Sequence, residues 1–135
     1  MVALTDNKEV SEKHRRLIEN PVAGSSTIFK GAIVMGNASG FLAPAASLAG
    51  ATMAGMAYEK ADNSNGAAGD IDCKLLREGL FELAGSGFTQ ADIGKVVYAT
   101  DDQTVSLTQA VGDEVAVGKI AQVVSATSVF VDIEV

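Results

Sequence analysis

From residue 28 onward, apolar and polar positions alternate in short runs, the period-two signature of half-buried strands. Val129, Val131, Ile133 and Val135 fall on one face while Asp132 and Glu134 fall on the other, which predicts a last strand tied into a sheet. Residues 96–100 and 104–108 flank Asp101-Asp102-Gln103, a connection of hairpin length. Residues 115–124 form a run long enough to need the kink that Gly118 permits. Ile71, Cys73 and Leu75 alternate with Asp72 and Lys74, and Gly79 marks a bend or bulge before residues 80–84. Upstream, residues 28–35 and 52–58 read as strands. Residues 41–43 pair back across the turn 36–40, and 44–51 form a loop. Asn65-Gly66 suits the positive φ angles of a tight hairpin. About eight short strands with frequent turns predict an all-β fold, an antiparallel barrel or sandwich.

The N-terminal 29 residues break this rhythm. Residues 6–19 are expected to form a helix capped by Thr5 or Asp6 and stopped by Asn20-Pro21, with Val10, Leu17 and Ile18 on one side. PVAGSST, residues 21–27, reads as a flexible link. The expected organisation is therefore a helix and arm over residues 1–29, followed by a β-rich body over 30–135.

Charge narrows the choice of partner. Residues 1–20 balance four cations against four acids, leaving 6 of the 10 cations and 13 of the 17 acids to residues 21–135. Such a surface repels phosphate backbones and anionic membranes, so no nucleic-acid or membrane partner is expected. The uncharged stretch from residue 31 to 58 exceeds the ~20 residues of a spanning helix, but Pro44 and five glycines interrupt it, and buried strands are expected instead. The N-terminus lacks the apolar core of a signal peptide, so synthesis in the cytosol is expected. One cysteine and one histidine leave no intramolecular disulfide and no Cys- or His-rich metal cluster. With 47% apolar but only 5% aromatic residues, the interior is built from Val, Ile, Leu and Ala, which favours burying further surface in an oligomer.

Each candidate for chemistry has a structural rival. Asp101 and Asp102 would act as an acid–base pair only if burial drove their proton affinities apart. They stand among Thr, Gln and Ser at a turn tip, where Asp serves the backbone. Asp70 and Asp72 share a face, yet a hard cation wants six or more oxygens. The loop DNSNGAAGDIDC departs from a calcium loop, with Gly66 at its fifth position and Cys73 where a bidentate Glu belongs. His14 sits beside Lys13, Arg15 and Arg16, which disfavour it as a base. Cys73 falls on an inward face and reads as a core residue. The stretch from Gly112 to Lys119 has one spacer too many for a phosphate loop, and Ile120 follows where Ser or Thr should stand. No catalytic residue, metal or cofactor is expected.

The order of turns and strands resembles the decoration, or cement, proteins that coat capsids of tailed bacteriophages. The resemblance is carried by KGAIVMGNASGFLAPA, AGMAYEKA, IDCKLLREGLFELA, DIGKVVYATDDQTVSLT and the closing VGKIAQVV and VFVDIEV. It implies a non-enzymatic, β-rich protein, often trimeric, made in the bacterial cytoplasm. Such a protein binds the exterior of the major capsid protein lattice and reinforces the mature head. A head–tail connector, a tail-tube subunit and a ligand-binding β module are the rival readings. Contact with the capsid is expected from Val10, Leu17 and Ile18 on the helix, and from Ile28 and Phe29 in SSTIFKG, which suits strand addition to a neighbour's edge. A helix folded back on its own barrel is the alternative for the first three.

Overall fold

Backbone pairing in the computed structural model, which describes residues 2–9 and 15–135, produces an all-β body. Twelve strands follow in order among the described residues: β1 (Leu17–Pro21), β2 (Ser26–Ile28), β3 (Ile33–Gly36), β4 (Leu42–Pro44), β5 (Thr52–Ala57), β6 (Ala61–Asn63), β7 (Asp72–Leu76), β8 (Glu78–Ala84), β9 (Val96–Ala99), β10 (Val105–Ser106), β11 (Ala116–Ser125) and β12 (Ser128–Glu134). They form two five-stranded antiparallel sheets, β1-β7-β5-β3-β4 and β10-β9-β11-β12-β8, and the small ribbon β2-β6. Each large sheet curls until its ends touch. Val22, just after β1, bridges Leu42 of β4, and Ala84 of β8 bridges Thr104, just before β10.

The curl has a local cause. In β5 the pairing with β3 slips at Ala54-Gly55, and β11 slips against β9 beside Gly118 and against β12 further on. A bulge adds twist and bends its strand, which turns a flat sheet toward closure. Gly55 and Gly118 both sit where backbones crowd. A Cβ on Gly55 would lie 2.6 Å from the Leu76 carbonyl oxygen, and one on Gly118 would strike that of Asp132.

The two sheets share a wall. Ile33 and Met35 of β3 and Met56 of β5 pack with Val97, Ile120, Val129, Val131 and Ile133 of the second sheet. Val34 and Ala57, next in sequence, turn instead toward Leu42, Cys73, Leu75 and Ile28 inside the first. All four residues of β3 are buried, so this strand has no solvent side. Enclosing each Val, Ile or Leu stabilises the body by roughly 1.5–3 kcal/mol. Arg77, between β7 and β8, clasps the halves together. Its N–H donates to Arg16 O at 2.7 Å, its carbonyl accepts Val135 N–H at 2.9 Å, and its guanidinium reaches Val135 O at 3.0 Å.

Several expectations need correction. There is no helix over 6–19 in what the structure describes. Residues 2–9 have no regular structure, residues 10–14 lie outside the described set, and Leu17–Pro21 is strand β1, paired with β7. A three-residue apolar stripe could not offset helix nucleation, while β7 offers a ladder of backbone partners. The link over 21–27 is held: Val22 is fully enclosed, and Asn63 Nδ2 donates to Ala23 O and Ala67 O, both at 2.9 Å. The strand expected over 28–35 is split by Gly31, at φ 84°, into β2 and β3. Gly66 takes no positive φ; it is required because a Cβ there would overlap the Asn63 carboxamide oxygen. Twelve strands replace the expected eight or so because β1 takes the place of the expected helix, Gly31 divides one expected run into β2 and β3, and β6, of three residues, is too short to show a period.

Gly55→Ala should cost about 2 kcal/mol, since φ of 148° and the Leu76 carbonyl both oppose a side chain. The check is the urea midpoint, which should fall at unchanged slope; an unaltered midpoint would mean the bulge accommodates a methyl.

Candidate docking surface

Several acids of this chain are occupied by its own backbone. Asp101 Oδ1 accepts Gln103 N–H at 2.9 Å and Thr104 N–H at 2.8 Å, closing the turn between β9 and β10. Asp102 gives its carbonyl to Ile33 N–H at 2.7 Å, so the same turn is fastened to the shared strand β3. Asp70 caps Ala67 N–H at 2.8 Å, while Asp72 stays exposed on β7 opposite Pro21. Among the described residues no group of three or more Asp, Glu, His or Cys is placed to hold a metal ion. His14 lies outside those residues. Cys73 is buried, and burial foremost, then the Glu59 carboxylate, pushes its thiol up to about 11.

Two enclosed carboxylates were not singled out by sequence. Glu114 accepts Val111 N–H at 2.7 Å and Gly112 N–H at 2.8 Å, using the loop amides that a bound phosphate would need. Those bonds, Val111's first, hold its carboxyl below the usual range. Asp92 lies in the one 3-10 turn among the described residues, Gln90–Asp92, pairs with Lys95 at 2.9 Å and accepts Thr89 N–H at 2.8 Å, with the same effect on its carboxyl.

The open chemistry lies elsewhere, along a seam beside β3. One hollow of about 360 Å³ is lined by Met56, Tyr58, Leu76, Phe81 and Glu82 together with Lys30 and Gly31. A second, of about 430 Å³, shares Lys30 and Gly31 and continues past Phe29 to Asp102 and Gln103. Gly31 N–H bonded to Ala57 O at 3.0 Å fixes the wall between them. Phe29 is 57% exposed, with Lys60 Nζ 5.3 Å over its ring, and Tyr58 is 49% exposed. Exposed aromatics on a core of small side chains mark a surface suited to contact. Arg15 pairs with Glu78 at 3.2 Å and Glu134 at 2.7 Å, tying the chain just before β1 to β8 and β12. Residues 2–9 lie fully in solvent.

The five residues expected to make contact do not act together. Val10 lies outside the described residues. Leu17 is an exposed member of β1, Ile18 is half-buried against the first sheet's core, and Ile28 is completely enclosed there. Ile28 is therefore interior, because β2 pairs with β6 within the same chain. Phe29 alone joins the seam. Tyr58 and Phe81 were missed as a pair; Tyr58 closing an apolar run was their one sequence signal. Comparison with family models, with curated proteins and with solved structures found no match to this chain.

The depressed carboxyls of Glu114 and Asp92 stabilise the fold above the ordinary carboxylate range, and that contribution is lost as pH falls through their folded values. Glu114→Gln should lower the thermal midpoint at pH 7, and the gap from the parent should close as the pH approaches 3. A gap that widens in acid would contradict the assignment.

Proposed function

We propose that this chain is a non-enzymatic decoration protein of a tailed bacteriophage, a homotrimer that binds the exterior of the major capsid protein lattice and reinforces the mature head. The observation that carries this reading is a β body braced across two cores, with residues 2–9 exposed ahead of it and Arg15 paired to Glu78 and Glu134. Reinforcing a shell requires a unit that does not deform under load, and a strand buried on both faces supplies stiffness. It also requires adhesive parts in solvent; Leu17 and Phe29, both expected capsid contacts, stand exposed. A net charge of −7 favours solubility of the many copies that a lattice takes up.

The order of turns and strands that carries the resemblance supports the same reading. KGAIVMGNASGFLAPA spans β3, its turn and β4, and DIGKVVYATDDQTVSLT spans the β9–β10 hairpin. In this role the acids work as loop staples, the partner is another protein surface, and the destination is the outside of the virion.

Purified protein mixed with undecorated heads should co-sediment with them, saturate at a fixed ratio per capsid subunit, and raise the temperature at which the heads rupture. Heads that neither bind the protein nor gain heat resistance at saturating concentration would remove this proposal.

A further inference from the structure

The two hollows joined at Lys30 present their chemistry in a fixed order. Met56, Tyr58, Leu76 and Phe81 make an apolar end, Lys30 stands in the middle, and Asp102 lies at the far end. The N-terminal segment carries the matching order. Seated as an extended strand, with the bends of the free segment at Thr5 and Asp6 opened out, the segment would put Val2, Leu4, Asp6 and Lys8 on one side, since alternate residues of an extended chain share a face. Two apolar side chains, an acid and a base thus correspond to an apolar floor, a lysine and an aspartate. Lys60, over the Phe29 ring, adds positive charge beside the middle of the groove.

We propose that this groove receives residues 2–8 of a second copy of the chain. Val2 and Leu4 are 91% and 73% exposed, so seating them removes apolar surface from water. Asp6 accepts a local bond from Asn7 N–H at 2.7 Å and remains exposed, so its carboxylate can also meet a lysine. Within one molecule, residues 2–9 stand in solvent and outside the groove. Eleven residues separate Leu4 from Arg15, a contour of up to roughly 36 Å. The segment can therefore cross to a neighbour while Arg15 stays on Glu78 and Glu134. Each copy both gives a segment and offers a groove, so the contact can pass from copy to copy, and a ring forms where the rotation between copies closes.

Sedimentation equilibrium of the full chain, with no capsid present, tests this separately from the proposed role. The parent chain should self-associate. Val2→Asp with Leu4→Asp, at positions outside the folded core, should weaken association at least tenfold while leaving the melting temperature unchanged. Lys8→Glu should weaken it too, and adding Asp102→Lys to Lys8→Glu should restore it. Mixing a Leu4→Cys chain with a Tyr58→Cys chain under mild oxidation should yield disulfide-linked pairs, with the enclosed Cys73 silent. A chain that stays monomeric, association indifferent to Val2→Asp/Leu4→Asp, or a cross-link forming only within a chain that bears both cysteines would overturn the proposal.

Discussion

Strand β3 has water on neither face, and the architecture follows from that constraint. Its odd and even residues serve different interiors, Ile33 and Met35 one and Val34 the other. A strand in that position cannot slide by one residue without exchanging the two sets of side chains. Its register therefore sets both cores at once. The bulge at Ala54-Gly55 in the neighbouring β5 is the geometric counterpart, since it lets Met53 and Met56 face one side while Ala54 and Ala57 face the other.

Loops around such a body must hold their shape without large side chains, because the chain has few. Buried and half-buried polar groups take over that task. Asn63 gathers carbonyls from two separate loops, and Glu114 folds its own loop around a carboxylate. No buried side-chain nitrogen or oxygen among the described residues lacks a hydrogen-bond partner. Satisfied polar groups of this kind specify a single loop conformation at little net cost, whereas a half-satisfied one would be destabilising. The seam at Lys30 is thereby presented on fixed walls.

The second sheet was legible because its strands are long and face water on one side. Val129, Val131 and Ile133 announce β12 by alternation alone, and Asp101-Asp102-Gln103 announces the turn before β10. The first sheet was harder to read. β3 is apolar at every position and merges with β2 into one expected run, and β6, in the small ribbon beside it, is too short to show any period. Leu17 and Ile18 were assigned to a helix because adjacent apolar residues fit either geometry, and only the distant β7 decides between them. Of the seam, Phe29 was visible from its place in SSTIFKG. Lys30 and Gly31 follow it directly, whereas Met56, Tyr58, Leu76, Phe81 and Asp102 come from segments remote in sequence, and their meeting depends on the closure of the whole body.

The clasp at Arg77 has a kinetic consequence. Its guanidinium and carbonyl hold Val135, 58 residues away along the chain, and its amide holds Arg16 on the opposite side. Neither half can be sealed by neighbours in sequence, so a growing or refolding chain must first bring remote segments together, and that search is slow. Pairings of such long sequence separation place the fold among those that form on the order of milliseconds to seconds. Until Val135 is drawn onto Arg77, the apolar face of β12 lacks its last fastening, so the clasp is also what keeps that face covered.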